Sequence, residues 1–211
     1  LVVCLHERPR LGRPREAAAG LERRDRLPAE ILDEIRAVPG VADAQAAVQG
    51  DAVVIAKDGT PIERPTAPTF GAAINEGELS VWRLAEGRLP DSGNDIVLDT
   101  LTAQDGGFAL GDEVTVNADS GSRVFTLVGI VEYDDIISPG NATWALYDCK
   151  TAEEFIAKPG FIDAVLVLGD GSVSADQLVQ RLADTLDPEV AEALTSAEIT
   201  AQTQSEIEKS L

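Results

Sequence analysis

Ile96 to Glu132, I-V-L-D-T-L-T-A-Q-D-G-G-F-A-L-G-D-E-V-T-V-N-A-D-S-G-S-R-V-F-T-L-V-G-I-V-E, is the stretch on which the fold turns. Ile96–Leu98 is an uninterrupted apolar run of the kind that makes a buried strand, and Thr100–Asp105 reads as a short helical segment. Gly106-Gly107 breaks that helix, because glycine takes the left-handed backbone of a helix end without steric penalty. Leu110-Gly111-Asp112 turns the chain into a strand at Val114–Val116, Asn117–Ser122 is a polar turn, and Val124–Val131 returns. The whole reads as a compact β module.

Working outward, the two ends of the chain share an order of elements. Leu1–Leu5 is apolar enough for a strand, and Glu7–Arg26 is an irregular Arg/Pro/Gly-rich connection. Leu27-Pro28-Ala29-Glu30 opens a helix, with Ile31, Leu32, Ile35 and Val38 at helical spacing and Pro39-Gly40 as its stop. Val41–Val48 and Ala52–Ala56 read as strands turning at Gln49-Gly50-Asp51. In the last third, Phe161–Leu168 is a strand, Ser174–Leu186 a helix with Leu178, Val179, Leu182 and Leu186 on one face, and Val190–Ile199 a strand after Pro188. Two strand–helix–strand halves separated by other material predict an α+β fold: a split βαβ, ferredoxin-like or porter-like layer with a small β-rich subdomain inserted.

The expected boundaries follow. Residues 1–26 form the first strand and a basic irregular segment, residues 27–78 and 140–200 the discontinuous α/β subdomain, and residues 79–139 the β-rich insertion. Thr60–Thr69, with three prolines, is an extended connector, and Glu86–Pro90 a turn. Trp144–Tyr147 reads as a strand and Thr151–Ala157 as a helix capped by Thr151. Residues 201–211 hold helix formers but few large apolar residues, a natural lead toward a membrane helix.

Charge narrows the function classes. The chain of 211 residues carries a formal charge of −20, yet its first 26 residues hold seven arginines against four acids. The remainder has 10 basic and 33 acidic residues, a surface that repels phosphate backbones and argues against nucleic acid while attracting cationic partners or substrates. Acidic excess also serves solubility without any partner. No run approaches the roughly 20 apolar residues of a membrane helix.

Chemistry-bearing patterns are sparse. His6, the one histidine, sits in the basic segment, and no G-x-S-x-G elbow accompanies it, so a hydrolase triad has no basis. Cys4 and Cys149 lack C-x-x-C spacing; either a disulfide or two buried thiols fits them. Gly106, Gly107 and Gly111 do not form a phosphate cradle, and no cofactor motif is present. Glu132, Asp134 and Asp135 group three carboxylates at a strand end where oxygen ligands could hold a hard cation, but their spacing is not that of an EF-hand and a solvated acidic loop is the favoured reading, with no metal expected. Asn141-Ala142-Thr143 matches a glycosylation sequon. Trp82, Tyr133 and Trp144 are candidate partner-binding anchors, the alternative being core packing.

Leu27–Gly40, Gly87–Pro90, I-V-L-D at Ile96–Asp99, L-G-D-E-V-T-V at Leu110–Val116, V-G-I-V at Val128–Val131 and the return at Ile162–Leu168 together resemble the extracytoplasmic domain of MacB/FtsX-family ABC transporter permeases over about residues 27–200. Residues 1–26 fit that pattern less well. The resemblance implies a non-enzymatic domain outside the cell membrane, between two membrane helices, in a dimeric full-length protein. It also implies a cytoplasmic ATPase partner, with a role in export, lipoprotein handling or mechanotransmission and contact with an extracytoplasmic protein or substrate. A free-standing secreted binding or adhesion module is the alternative. Under the permease reading the two chain ends emerge together.

Overall fold

The computed structural model describes residues 2–5, 26–65, 67–133, 141–198 and 201, the first four as backbone. In chain order the elements are β1 (Val2–Leu5), β2 (Leu27–Pro28), α1 (Ile31–Arg36), β3 (Val41–Ala47), β4 (Gln49–Ile55), β5 (Thr69–Ala73), a 3-10 turn at Gly77–Leu79, β6 (Trp82–Gly87), β7 (Asp95–Asp99) and α2 (Thr100–Gly106). There follow β8 (Glu113–Ala118), β9 (Gly121–Tyr133), β10 (Thr143–Tyr147), α3 (Cys149–Phe155), β11 (Phe161–Ile162), β12 (Ala164–Gly169), α4 (Ala175–Thr185) and β13 (Glu192–Thr195). They fall into two compact units, Leu1–Ala46 with Phe161–Leu211, and Ala47–Gly160.

The first unit is the split layer. Its sheet has the order β13-β1-β12-β3, in which β1 lies antiparallel between β12 and β13. Two β-α-β passes, β1-α1-β3 and β12-α4-β13, therefore interleave as in a ferredoxin-like sheet. The helices form where the apolar spacing requires: α1 buries Ile31 and Ile35, α4 buries Leu178 and Leu182. Ser174 caps α4 in a reciprocal capping box with Gln177, an arrangement worth about 1 kcal/mol. Arg181 of α4 donates to the Pro39 carbonyl oxygen at 2.6 Å, fixing α4 to the turn that follows α1.

In the second unit the strands form a closed ring. β4 is antiparallel to β5, β5 parallel to β10, β10 antiparallel to β7, β7 parallel to β9, and β9 antiparallel to β8, which pairs back onto β4. Closure removes the unpaired edges that an open sheet would expose. β9 is long enough for two jobs: Gly121–Thr126 pairs with β8, while Gly129–Tyr133 carries β6 on the outside of the ring. Phe125, Tyr147 and Phe155 meet in its core at centroid separations of 4.9–5.9 Å.

The ring is built twice from one module. β4-β5-β7-α2 and β8-β9-β10-α3 follow the same order, and exchanging β4 with β8, β5 with β9 and β7 with β10 leaves every pairing and its direction unchanged. Each module ends on the same words, D-x-x-T-A, at Asp99–Ala103 and Asp148–Ala152.

Several expectations need correction. The division falls at 46/47 and 160/161, not at 78/79 and 139/140, because β4 pairs with β8, β10 with β7, and β5 with both β4 and β10, so all three belong to the ring. Gln49-Gly50-Asp51 is no turn: those residues pair with Ala72, Gly71 and Phe70, and a Cβ on Gly71 would collide with Ile156 and Ala52. Leu27-Pro28 pairs with β11 and leaves the helix to begin at Ile31. Phe161–Leu168 is two strands, interrupted at Asp163, which is ion-paired with Arg26 at 3.0 Å. The strand expected over Val190–Ile199 is confined to Glu192–Thr195, where Glu198 accepts from the Thr195 N–H and turns the chain. The cap of α3 is Asp148; Thr151, expected there, is the residue whose N–H it accepts. Leu1, residues 6–25 and residues 202–211 lie outside the described residues, and the closeness of Leu1 to Leu211 with them.

Candidate functional site

Strand alternation brings the three aromatic candidates, Trp82, Tyr133 and Trp144, to one face of the ring. In β10, Thr143, Ala145 and Tyr147 are buried while Trp144 and Leu146 point to the other side. Trp144 is the register partner of Phe70 on β5, and their rings lie 4.7 Å apart. Trp82 on β6 stands opposite Tyr133 on β9 with the rings edge to face at 5.3 Å, and Trp82 meets Trp144 at the same distance. Ala72, Ile74, Val97, Val131 and Leu146 form the apolar floor beneath them. All four rings are half-buried, so they pack on one another and still offer surface. Trp144 Nε1 is buried and finds no hydrogen-bond partner among the described residues. Phe70, which the sequence reading passed over, completes the cluster; its Pro-rich flank concealed a strand.

The carboxylate trio is not assembled by the described residues. Glu132 forms an ion pair with Arg83 at 2.8 Å, and Asp134 and Asp135 lie outside those residues. Among the described residues no group of three His, Cys, Asp or Glu side chains is arranged to hold a metal. His6 and the Cys4 side chain are likewise outside them, and the Cys149 thiol lies 3.6 Å from the Glu153 carboxylate. Gly107 and Gly111 both adopt positive φ, 68° and 89°, in keeping with a structural part for these glycines.

Two buried polar networks were not anticipated. Asp99, fully buried, caps α2: it accepts from the Thr102 N–H at 3.2 Å, from the Thr102 hydroxyl, and from the Trp144 N–H at 2.9 Å. Burial pushes its carboxyl above the usual range, an effect that the Thr102 and Trp144 hydrogen bonds and the nearby Arg64 partly offset. Arg64 itself pairs with Asp105 at 2.8 Å and donates to the Asn141 and Ala142 carbonyl oxygens, tying the Pro-rich segment to the start of β10. At the other end of β7, burial acts to raise Asp95, but Arg88 at 2.7 Å and the Asp91 N–H leave it below its ordinary range. The repeated D-x-x-T-A was the available signal for Asp99, since a buried strand end followed by Asp and, three residues on, Thr is a capping pattern.

The periplasmic region of MacB from Actinobacillus actinomycetemcomitans superposes with a TM-score of 0.67 at 13% identity, over 96% of this chain and 92% of that one. The extracellular domain of the noncanonic ABC-type transporter YknZ from Gram-positive bacteria gives 0.61 at 11% identity, over 92% and 99%. A domain of a putative permease from Porphyromonas gingivalis gives 0.52 at 19% identity, over 80% and 82%. Comparison with curated proteins yields no match.

The chain belongs to the family of MacB-like periplasmic core domains, whose model matches residues 8–194. It is thus an extracytoplasmic domain of an ABC transporter permease, in a family of non-catalytic domains whose permeases work with cytoplasmic ATPases. The free-standing module gains no support. No helix among the described residues is long and apolar enough to cross a membrane.

Proposed function

We propose that this domain is a non-enzymatic relay, coupling movement of the membrane part of the permease, driven by the ATPase, to a protein or substrate outside. The observation that carries the reading is the pairing of β1 with β13, in which Val2 stands opposite Thr195. The first and last strands of the α/β unit are neighbours, and β1 begins where β13 ends, at one end of one sheet. A pull on those two strands is distributed through a hydrogen-bonded ladder and a packed core, which transmit displacement because they deform little. On this reading the ring, residues 47–160, is the part that engages the partner.

The test uses the intact permease reconstituted with its ATPase. Spin labels at Asp119→Cys on the β8–β9 turn and in the membrane part of the permease are expected to change their distance distribution between the nucleotide-free and ATP-bound states. An identical distribution in every nucleotide state overturns the relay.

A further inference from the structure

Among the described residues β6 is the one ring-associated strand with no counterpart in the duplicated module, and it is built unlike the others. It pairs with β9, stands at the end of the strand order, and is exposed from Arg83 through Gly87. Its flank is apolar where solvent would favour polar residues: Val81 is 52% and Leu84 41% exposed. Between β6 and α2 lies a groove of about 550 Å³, with Phe108, Ile130 and Leu110 on its floor and Glu86, Gln104 and Glu132 around it. The β6–β9 register shifts between Leu84 and Glu86, so Arg83 opposite Glu132 and Glu86 opposite Ile130 share the face that borders the groove. A bulge beside a groove re-aims side chains in this way.

From these features we propose that β6 and its groove dock an extended, lysine- or arginine-bearing segment of a partner protein, which adds to β6 as a strand and sets a cationic side chain against Glu86. Strand addition supplies the affinity through backbone hydrogen bonds, and the groove reads the side chain. The charge balance selects the cation. Glu132 is already held by Arg83, whereas Glu86 has no ion pair among the described residues. The ring unit as a whole, residues 47–160, carries 19 acidic against seven basic residues, so a basic segment is drawn toward it. The apolar floor takes the aliphatic stem of lysine or arginine while the charge stays at the rim. An acidic or purely apolar segment satisfies one half of this site and is rejected by the other.

The proposal deepens the relay reading by naming the face and chemistry of the partner, and it is tested without the membrane part. The probe is the capped peptide acetyl-Thr-Lys-Val-Lys-Val-Lys-Thr-Val-amide, titrated into the 211-residue chain with tryptophan fluorescence and amide exchange of β6 as readouts. Saturable binding with slowed exchange at β6 is expected. The same peptide N-methylated at alternate residues, the peptide with glutamate for lysine, and the Glu86→Lys protein should each weaken it at least about tenfold. Equal binding of the N-methylated peptide, or of spermidine, would reduce the site to diffuse attraction of cations and overturn the proposal. So would unchanged binding by Glu86→Lys, or no saturable binding at all. Because Glu86 is exposed, that variant folds, and its outcome is independent of the spin-label distances that test the relay.

Discussion

The two halves of the ring use the same local sentence in different surroundings. Asp99 ends β7 and Asp148 follows β10, and each caps a seven-residue helix and accepts from the N–H and hydroxyl of the threonine three residues on. Asp148 stays half-exposed, and its carboxylate keeps water within reach. Asp99 is sealed, holds in addition the Trp144 N–H from the opposite half, and so locks β7 to β10. Identical caps therefore differ in what depends on them: one ends a helix, the other joins two modules. The halves differ again at β6, which rides on β9 in a place the other half leaves without a described strand.

Removing β6 from its seat is the most severe way to probe that difference. A Cβ on Gly129 would overlap the Arg88 carbonyl oxygen and press on Val97, so Gly129→Ala must displace backbone. It is expected to cost about 3 kcal/mol. Chemical denaturation should show the loss, and limited proteolysis should show cleavage concentrated at residues 81–90. Loss without that local cleavage would mean β6 is integral to the ring.

The matched caps give the next effect. Asp99→Ala strands a buried N–H of Trp144 and the Thr102 donors, for about 3 kcal/mol, whereas Asp148→Ala leaves donors that water can reach, for about 1 kcal/mol. Equal destabilisation of the two variants would refute the distinction. In the same measurement, a helix-only role for Asp99 would leave exchange of the Trp144 amide unchanged, and faster exchange is expected.

Smallest is the pH signature. Because the Asp99 carboxyl titrates above its unfolded value, the folded state binds the extra proton as pH falls. Its ionisation therefore removes stability as pH rises from about the ordinary carboxylate range through the raised value, and the change is complete above it. Asp99→Asn abolishes this step, so the stability advantage of the natural chain over the variant should shrink across that window and then level. Asp95 has the opposite sign, stabilising above the carboxylate range and losing that contribution as pH falls through its lowered value.

Much of the fold was legible because short-range rules set it. Apolar runs at Ile96–Leu98 and Ala164–Leu168 are strands, Gly107 closes a helix in the left-handed region, and Ser174 with Gln177 caps another. The interleaved α/β layer followed from element order. The boundaries did not, because which sheet β4 and β10 join is decided by partners distant in sequence: Ala52 beside Ala118, Leu146 beside Val97. The candidate site divides the same way. Trp82, Tyr133 and Trp144 could be named singly, since large aromatics are few, but their convergence with Phe70 depends on a parallel register between β5 and β10 that no local pattern encodes.

By itself, then, the sequence determined the periodicities, caps, turns and the acidic balance. Tertiary structure decided the closure of the ring, the burial that makes Asp99 unlike Asp148, and the exposure that leaves β6 and Glu86 beside a groove. The physical reason is common to all three. Local propensity fixes what a segment can form, whereas burial, desolvation and edge pairing are properties of the neighbours that the folded chain brings to it.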